Sequence, residues 1–238
     1  MSVALVTGGA GGIGRAINAR LAEAGWQVLA GDLPSAIAAS DPTSHSVTAV
    51  ELDVTDRCSV AAFVAAGAQT GSIGAVVNCA GIVRFTPVTG FDDADASLLW
   101  EVNVAGAARV CSLASAEMAE GGAIVNIASI TGFTARLAGA SLYGASKAAL
   151  AAFTRYLASE LAPRRIRANA LAPGYIAVPM SPAMEAISGG KGEVVKGVPL
   201  GRLGSTDEMA EIVEFLISER ASYITGATLL ADGGVAAR

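Results

Sequence analysis

Cationic and metal-binding side chains are scarce in this chain. Its 238 residues hold one histidine, and 16 lysines and arginines stand against 21 aspartates and glutamates, for a formal net charge of -5. No broad basic surface is available to neutralise a phosphate backbone, which argues against a nucleic-acid partner. The three cysteines, Cys58, Cys79 and Cys111, are an odd number without ligand spacing, and His45 is the single imidazole. Neither a disulfide framework nor a zinc site is indicated, and no metal is expected. A long apolar run is missing too. Cys58 to Val83 contains no Asp, Glu, Lys or Arg, but Gln69, Thr70, Gly71, Ser72, Gly74 and Asn78 interrupt it where a membrane span would stay apolar. It is read as helix, turn and buried strand. The first residues lack the basic start and apolar stretch of a secretory leader, so a cytoplasmic protein is expected.

What the chain has in quantity is apolar side chain. At 53% hydrophobic it can bury a large core, and one domain spanning residues 1–238 is expected. Short apolar runs at Val3–Val6, Gln27–Gly31, Val47–Leu52, Ala75–Asn78, Ala123–Ala128, Ile166–Leu171 and Ala227–Leu230 alternate with helix-length segments. Strands this short and apolar, separated by helices, suit an α/β fold: a doubly wound parallel sheet of the Rossmann type with helices on both faces. Ser205 and Glu208 stand at capping-box spacing before a helix running through Ile212, Val213, Phe215 and Leu216. From about Gly174 to Gly204 the alternation breaks, with Pro179, Pro182, Pro199 and a Ser-Gly-Gly-Lys-Gly run at 188–192. Residues 175–204 are read as a mobile connection beyond a strand end, placed to close over a substrate.

The first strand runs into Thr7-Gly8-Gly9-Ala10-Gly11-Gly12-Ile13-Gly14, which opens the first helix. Missing side chains let a pyrophosphate approach backbone N–H groups at the positive helix end. A glycine-rich loop alone is weak evidence, since turns and caps also use glycine. Its context here is strand, turn, helix, second strand, and then Asp32, where a carboxylate can hold both ribose hydroxyls of a dinucleotide. That carboxylate would repel a 2′-phosphate, and no basic residue stands at Gly11 or beside Asp32, so NAD is favoured over NADP. The alternative for Asp32 is a cap or turn before Pro34. Asp53, after the third strand, either accepts a bond from the adenine amine or caps the next helix.

Tyr143-Gly144-Ala145-Ser146-Lys147 puts a phenol and an ammonium four residues apart, on one helix face. A free tyrosine titrates near pH ~10, too high for efficient acid–base work at neutrality, and a nearby cation is expected to lower it. Alone, Tyr-x-x-x-Lys is a common coincidence. Several other motifs accompany it: Thr7, Gly8, Gly12 and Gly14; Asn78-Cys79-Ala80-Gly81; Asn103 in Glu-Val-Asn-Val; Asn126-Ile127-Ala128-Ser129; Pro173-Gly174; and Asp232-Gly233-Gly234.

In their order and spacing, along essentially its whole length, the chain resembles the short-chain dehydrogenase/reductase family. The resemblance implies that Tyr143 is the general acid–base, Ser129 hydrogen-bonds the carbonyl oxygen, Lys147 holds the nicotinamide ribose, and Asn103 anchors a relay water. Cofactor contacts are expected from Gly8, Gly12, Ile13, Gly14, Asp32, Leu33, Asp53, Val54, Asn78, Ala80, Gly81, Tyr143, Lys147, Pro173, Gly174 and Ile176. A homotetramer is implied as well. Two positions depart from the family's pattern. Cys79 replaces an asparagine beneath the cofactor, and Val178 stands where the family usually has a threonine whose hydroxyl bonds the nicotinamide carboxamide.

The expected activity is interconversion of a small alcohol and its ketone by hydride transfer. Tyr175, Ile176, Met180, Met184 and Ile187 give the closing segment an apolar inner face, while Glu185, Lys191, Glu193 and Lys196 form a set of mixed sign that offers an anion no consistent field. A neutral, largely apolar secondary alcohol fits best. The rivals are a ketoreductase for acyl-carrier-protein thioesters, a dihydrodiol or sugar alcohol dehydrogenase, and a cofactor-sensing module without turnover. Arg84 and Arg136 either meet an anionic substrate or are solvated loop arginines.

Overall fold

In the computed structural model, residues 2–39, 45–178 and 191–237 are described. Seven strands, β1 (Ser2–Thr7), β2 (Gln27–Asp32), β3 (Val47–Glu51), β4 (Ser72–Asn78), β5 (Met118–Ile127), β6 (Arg167–Pro173) and β7 (Thr228–Ala231), form one sheet in the order β3-β2-β1-β4-β5-β6-β7. Every pairing is parallel, with Leu5 lying between Leu29 and Val76 in register. β1 and β4 to β6 have their backbones covered on both sides, which explains why they read as continuous apolar runs. The edge strands β3 and β7 are half-exposed.

Helices cover both faces. On one side α3 (Arg57–Thr70), α5 (Ala107–Glu117) and α6 (Ser141–Leu161) bury Val60, Phe63, Val110 and Leu157 against the sheet. On the other, α1 (Gly12–Glu23) and α8 (Thr206–Ile217) contribute Ile17, Leu21, Val213 and Leu216. The remaining described α-helices are α2 (Pro34–Ala38), α4 (Asp93–Trp100) and α7 (Lys191–Lys196). The capping box of α8 forms in both directions: Glu208 N donates to Ser205 Oγ at 3.1 Å, and Ser205 N to Glu208 Oε2 at 2.8 Å. At its other end Arg167, buried at the start of β6, donates to the carbonyls of Leu216, Ile217 and Ser218.

Two elements differ from the sequence reading. β5 starts at Met118 rather than Ala123, because its first residues join β4 through a register shift, and Gly121 at φ +78° breaks the apolar pattern there. Between α4 and α5 the backbone passes through a π-helical turn, Glu101–Gly106, that contains Asn103. Hydrophobic periodicity carries no signal for such a turn, which adds one residue to a helical repeat without changing its composition. The expected segment from Cys58 to Val83 forms α3, a turn and β4. Of the closing connection, 175–178 and 191–204 are described; Pro179, Met180, Pro182, Met184, Glu185 and Ile187 lie outside the described residues.

Candidate active site

The strand order reverses between β1 and β4, and the chain leaves both strands there as glycine-bearing turns. Such a switch point opens a crevice at the carboxyl ends of the strands. Two of its glycines are dictated by space. Gly8 has φ +67°, and a Cβ on it would lie 2.7 Å from Ala80 N; on Gly14 a Cβ would lie 2.1 Å from the Gly8 carbonyl oxygen. The turn therefore folds tightly under the start of α1, whose N-cap, Gly11, offers no side chain to cap it. The first amides of a helix have no intrahelical acceptor. Here they face a cleft of about 690 Å³ lined by Gly8, Gly12, Ile13 and Gly14. Asn18, buried one turn into α1, braces the loop from below by donating to the Gly9 carbonyl at 2.9 Å. Bare backbone, unpaired amides and a positive helix end are what a pyrophosphate requires.

Asp32, Leu33, Asp53, Val54, Ala80 and Gly81 line the same cleft. Both oxygens of Asp32 accept backbone bonds, from Ala10 N at 2.9 Å and Leu33 N at 2.8 Å, which fixes the carboxylate at the rim of the glycine turn. Asp53 does not cap α3. That role falls to Asp56, which accepts from Cys58 N, while one oxygen of Asp53 takes the Thr55 amide and hydroxyl. Asp32 and Asp53 are the cleft's only charged lining residues among those described.

A second cleft of about 440 Å³ shares Ile13, Cys79, Gly81, Ile82 and Val178 with the first, so the two form one groove. Ser129 enters it beyond β5, Tyr143 and Lys147 from one face of α6, and Pro173, Gly174 and Ile176 from the turn after β6. The wall is otherwise apolar, with Ile82, Val83, Tyr175, Val194 and Leu203. Asp232 backs it, accepting from the amides of Gly234 and Ala236, and its backbone would lie 2.6 Å from a Cβ on Gly174. The Ser129 hydroxyl stands beside that of Tyr143 and acts to lower the phenol's pKa.

Lys147 is 4% exposed and donates to the Ile127 carbonyl at 2.9 Å. Burial pushes it down to about 8, with the nearby Cys79 thiol acting in the opposite sense. The expectation that the ammonium lowers the phenol is not met in this arrangement. Tyr143 is raised above its ordinary value by burial, and the neighbouring Ser129 hydroxyl opposes the rise. The lysine's charge is spent on a carbonyl beneath the groove instead.

Two expected residues stay out of the groove. Asn78 is buried in the core, donating to Cys111 Sγ at 3.1 Å and Asn126 Oδ1 at 2.8 Å, because alternation along β4 points it at α5 and away from the cleft. Asn103 clamps the strand exit: its amide donates to the Ile82 carbonyl at 2.9 Å and its oxygen accepts from Ile82 N at 2.8 Å, with a further bond to Ser146. Arg84 pairs with Asp95 at 3.4 Å, and Arg136 stands within electrostatic reach of Tyr175.

Residues 8–236 match the family model described as enoyl-(acyl carrier protein) reductase. The chain is 35% identical to a 3-oxoacyl-[acyl-carrier-protein] reductase of Thermotoga maritima over 98% of this chain and 97% of that one. It is 38% identical to a cis-4-hydroxycyclohexanecarboxylate dehydrogenase of Sinomonas cyclohexanicum, over 99% and 96%. Among solved structures it is similar to a blue fluorescent protein from a metagenomic library in complex with NADPH, at TM-score 0.88, 34% identity and coverage of 99% and 98%. The chain belongs to the short-chain dehydrogenase/reductase family.

As a short-chain dehydrogenase/reductase it is an oxidoreductase that binds a nicotinamide cofactor and acts on small molecules. The family's doubly wound fold accounts for the crevice, and the glycine cradle fits the cofactor's pyrophosphate. Sequence reasoning counted Thr7 in the glycine motif without a role, where its hydroxyl accepts from Ala80 N at 3.1 Å and ties the two strand exits together, and it missed Asn18 beneath the turn. A polar residue on the otherwise apolar face of Ile17 and Leu21 was the available signal for Asn18. Among the described residues no helix is long and apolar enough to cross a membrane.

Proposed function

We propose that this enzyme is an NAD-preferring dehydrogenase that interconverts a small, neutral, largely apolar secondary alcohol and its ketone. The observation that carries the reading is the charge distribution of the groove: among the described residues, two carboxylates and no lysine or arginine line the end at the glycine turn, and Lys147 is the charged group at the other. A 2′-phosphate beside Asp32 would meet repulsion with no cation to offset it.

In this reading the glycine turn and Asp32 hold the cofactor's adenosine half, and Lys147 with the Pro173-Gly174 turn holds its nicotinamide half. When bound, the nicotinamide supplies or accepts the hydride. Tyr143 gives its proton to the developing alkoxide in reduction and takes it back in oxidation, while Ser129 donates a fixed hydrogen bond to the same oxygen. The apolar wall of Ile82, Val83, Tyr175, Val194 and Leu203 excludes water and offers a charged substrate nothing to pair with. A homotetramer is part of the proposal. Large apolar side chains are left exposed at Trp100 and Tyr156 and, beside the sheet edge, at Tyr223, Leu229 and Leu230.

The resemblance to acyl-carrier-protein reductases supports a second reading, reduction of a thioester-borne ketone. Steady-state rates with NAD and NADP across cyclic alcohols, aryl alcohols, vicinal diols, hydroxy acids and sugars, and with acetoacetyl thioesters in reduction, decide between them. The expected outcome is highest efficiency with NAD and a cyclic or aryl alcohol, a margin over NADP that narrows in Asp32→Ala, and little change in Arg136→Ala. Equal efficiency with both cofactors would refute the role of Asp32. A hydroxy acid as best substrate, lost in Arg136→Ala, would refute the neutral substrate.

A further inference from the structure

The short 3-10 turn Ile130–Gly132 follows Ser129 and lies directly on α6. A Cβ on Gly132 would stand 2.8 Å from Ala148 N, and one on Gly144 would stand 2.7 Å from the Thr131 carbonyl. Contacts this close lock the turn to the helix that bears Tyr143. Within it Thr131 addresses Ser129 twice: its N–H donates to Ser129 Oγ at 3.2 Å, and the two hydroxyl oxygens are 3.1 Å apart. Thr131 itself lies outside the groove, lining a surface depression on the far side of the turn.

From this geometry we propose that Thr131 is a positioning residue for Ser129, accepting the serine's proton when the groove is empty and donating its own when the substrate's oxygen arrives. The inference rests on the role given to Ser129 above. A hydroxyl has one proton and two lone pairs. With the groove empty, the Thr131 amide occupies one lone pair of Ser129, and the serine's proton goes to Thr131 Oγ1. A substrate oxygen in the groove offers that proton a second acceptor. The serine's proton then turns to the substrate, and the threonine's proton turns to the serine's second lone pair. No proton is lost or gained; two hydroxyls rotate together. Without the threonine hydroxyl the serine would have to turn its proton to the substrate with one lone pair unsatisfied in a half-buried site.

Thr131→Val keeps the shape and the backbone amide and removes only the hydroxyl, whereas Thr131→Ser keeps the hydroxyl. Both variants, with Ser129→Ala and the double variant Ser129→Ala/Thr131→Val, are assayed with NAD and cyclohexanol, or whichever alcohol of the panel above turns over fastest. Thr131→Val is expected to lower kcat about threefold to tenfold with NAD affinity unchanged, as one lost neutral hydrogen bond allows. Thr131→Ser restores the rate, and Thr131→Val has no further effect once Ser129 is alanine. Wild-type kcat in Thr131→Val alongside a crippled Ser129→Ala overturns the inference and leaves the role of Ser129 standing. An equal loss from Thr131→Val in both backgrounds overturns it too, since the threonine then acts on something other than the serine. Unimpaired turnover in Ser129→Ala overturns the role of Ser129 and the inference with it.

Discussion

Tyr143 meets two opposing demands, because the burial that excludes water from the groove also makes its phenolate harder to form. The neighbouring Ser129 hydroxyl opposes that penalty, and Lys147, one helical turn away, is turned to the Ile127 carbonyl. If Tyr143 is the acid–base group, Tyr143→Phe is expected to cost at least ~10²-fold in turnover. NAD binding measured by calorimetry should persist, since the glycine turn and Asp32 are untouched. Near-normal turnover, or lost binding, would contradict the assigned role. At this scale the sequence was a good guide to Ser129, Tyr143 and Lys147, which a four-residue helical spacing and a strand end bring to one cleft. It did not show which partners Asn78 and Asn103 would bond, because that depends on which neighbours lie across the sheet and beside the π-helical turn.

The cradle is set by elements rather than single groups: β1 ends, α1 begins, and the exits of β4 and β6 close over the join. Val178, after β6, reaches back to α1, and a Cβ on Gly12 would come within 2.9 Å of its Cγ1. It lines both halves of the groove, at the point where the adenosine and nicotinamide ends of a dinucleotide would meet. Val178→Thr puts a hydroxyl there without changing the side chain's shape, and NAD affinity is expected to rise by about 0.5–1.5 kcal/mol, the net worth of one neutral hydrogen bond. Calorimetric titration of both proteins checks this, and weaker binding in the variant would show that the position turns away from the nicotinamide. The α1 start, the sheet strands and the α8 capping box were legible because each is specified by local chemistry: glycines that admit a tight turn, apolar runs, and Ser205 three residues before Glu208. The π-helical turn and the irregular first half of β5 were not, since both arise from fitting one element to its neighbour.

For the molecule as a whole, the Lys147 ammonium buried at the base of the groove makes stability depend on pH. Lys147 titrates near 8 in the fold against an unfolded value of about 10.4. Between these values the unfolded chain binds more protons, so wild-type stability rises with pH across that window; below pH ~8 both states are protonated and the cost of burying the charge is constant. Thermal melts of wild type and Lys147→Met are therefore expected to keep a constant gap below pH ~8, with wild type gaining on the variant up to pH ~10.4. A gap independent of pH throughout would show that Lys147 is not buried as a charged group. The sequence by itself determined the layered α/β architecture, the tight glycine turn and the shared face of Tyr143 and Lys147, because these follow from periodicity, from glycine's lack of a Cβ and from residues close together in the chain. Tertiary structure alone decided that Asp56 rather than Asp53 caps α3, that Lys147 bonds to Ile127, that Asn78 faces the core and that Thr131 backs Ser129. Each of those outcomes is a choice of hydrogen-bond partner, and such choices are settled by which groups the packed sheet and helices bring within about 3 Å.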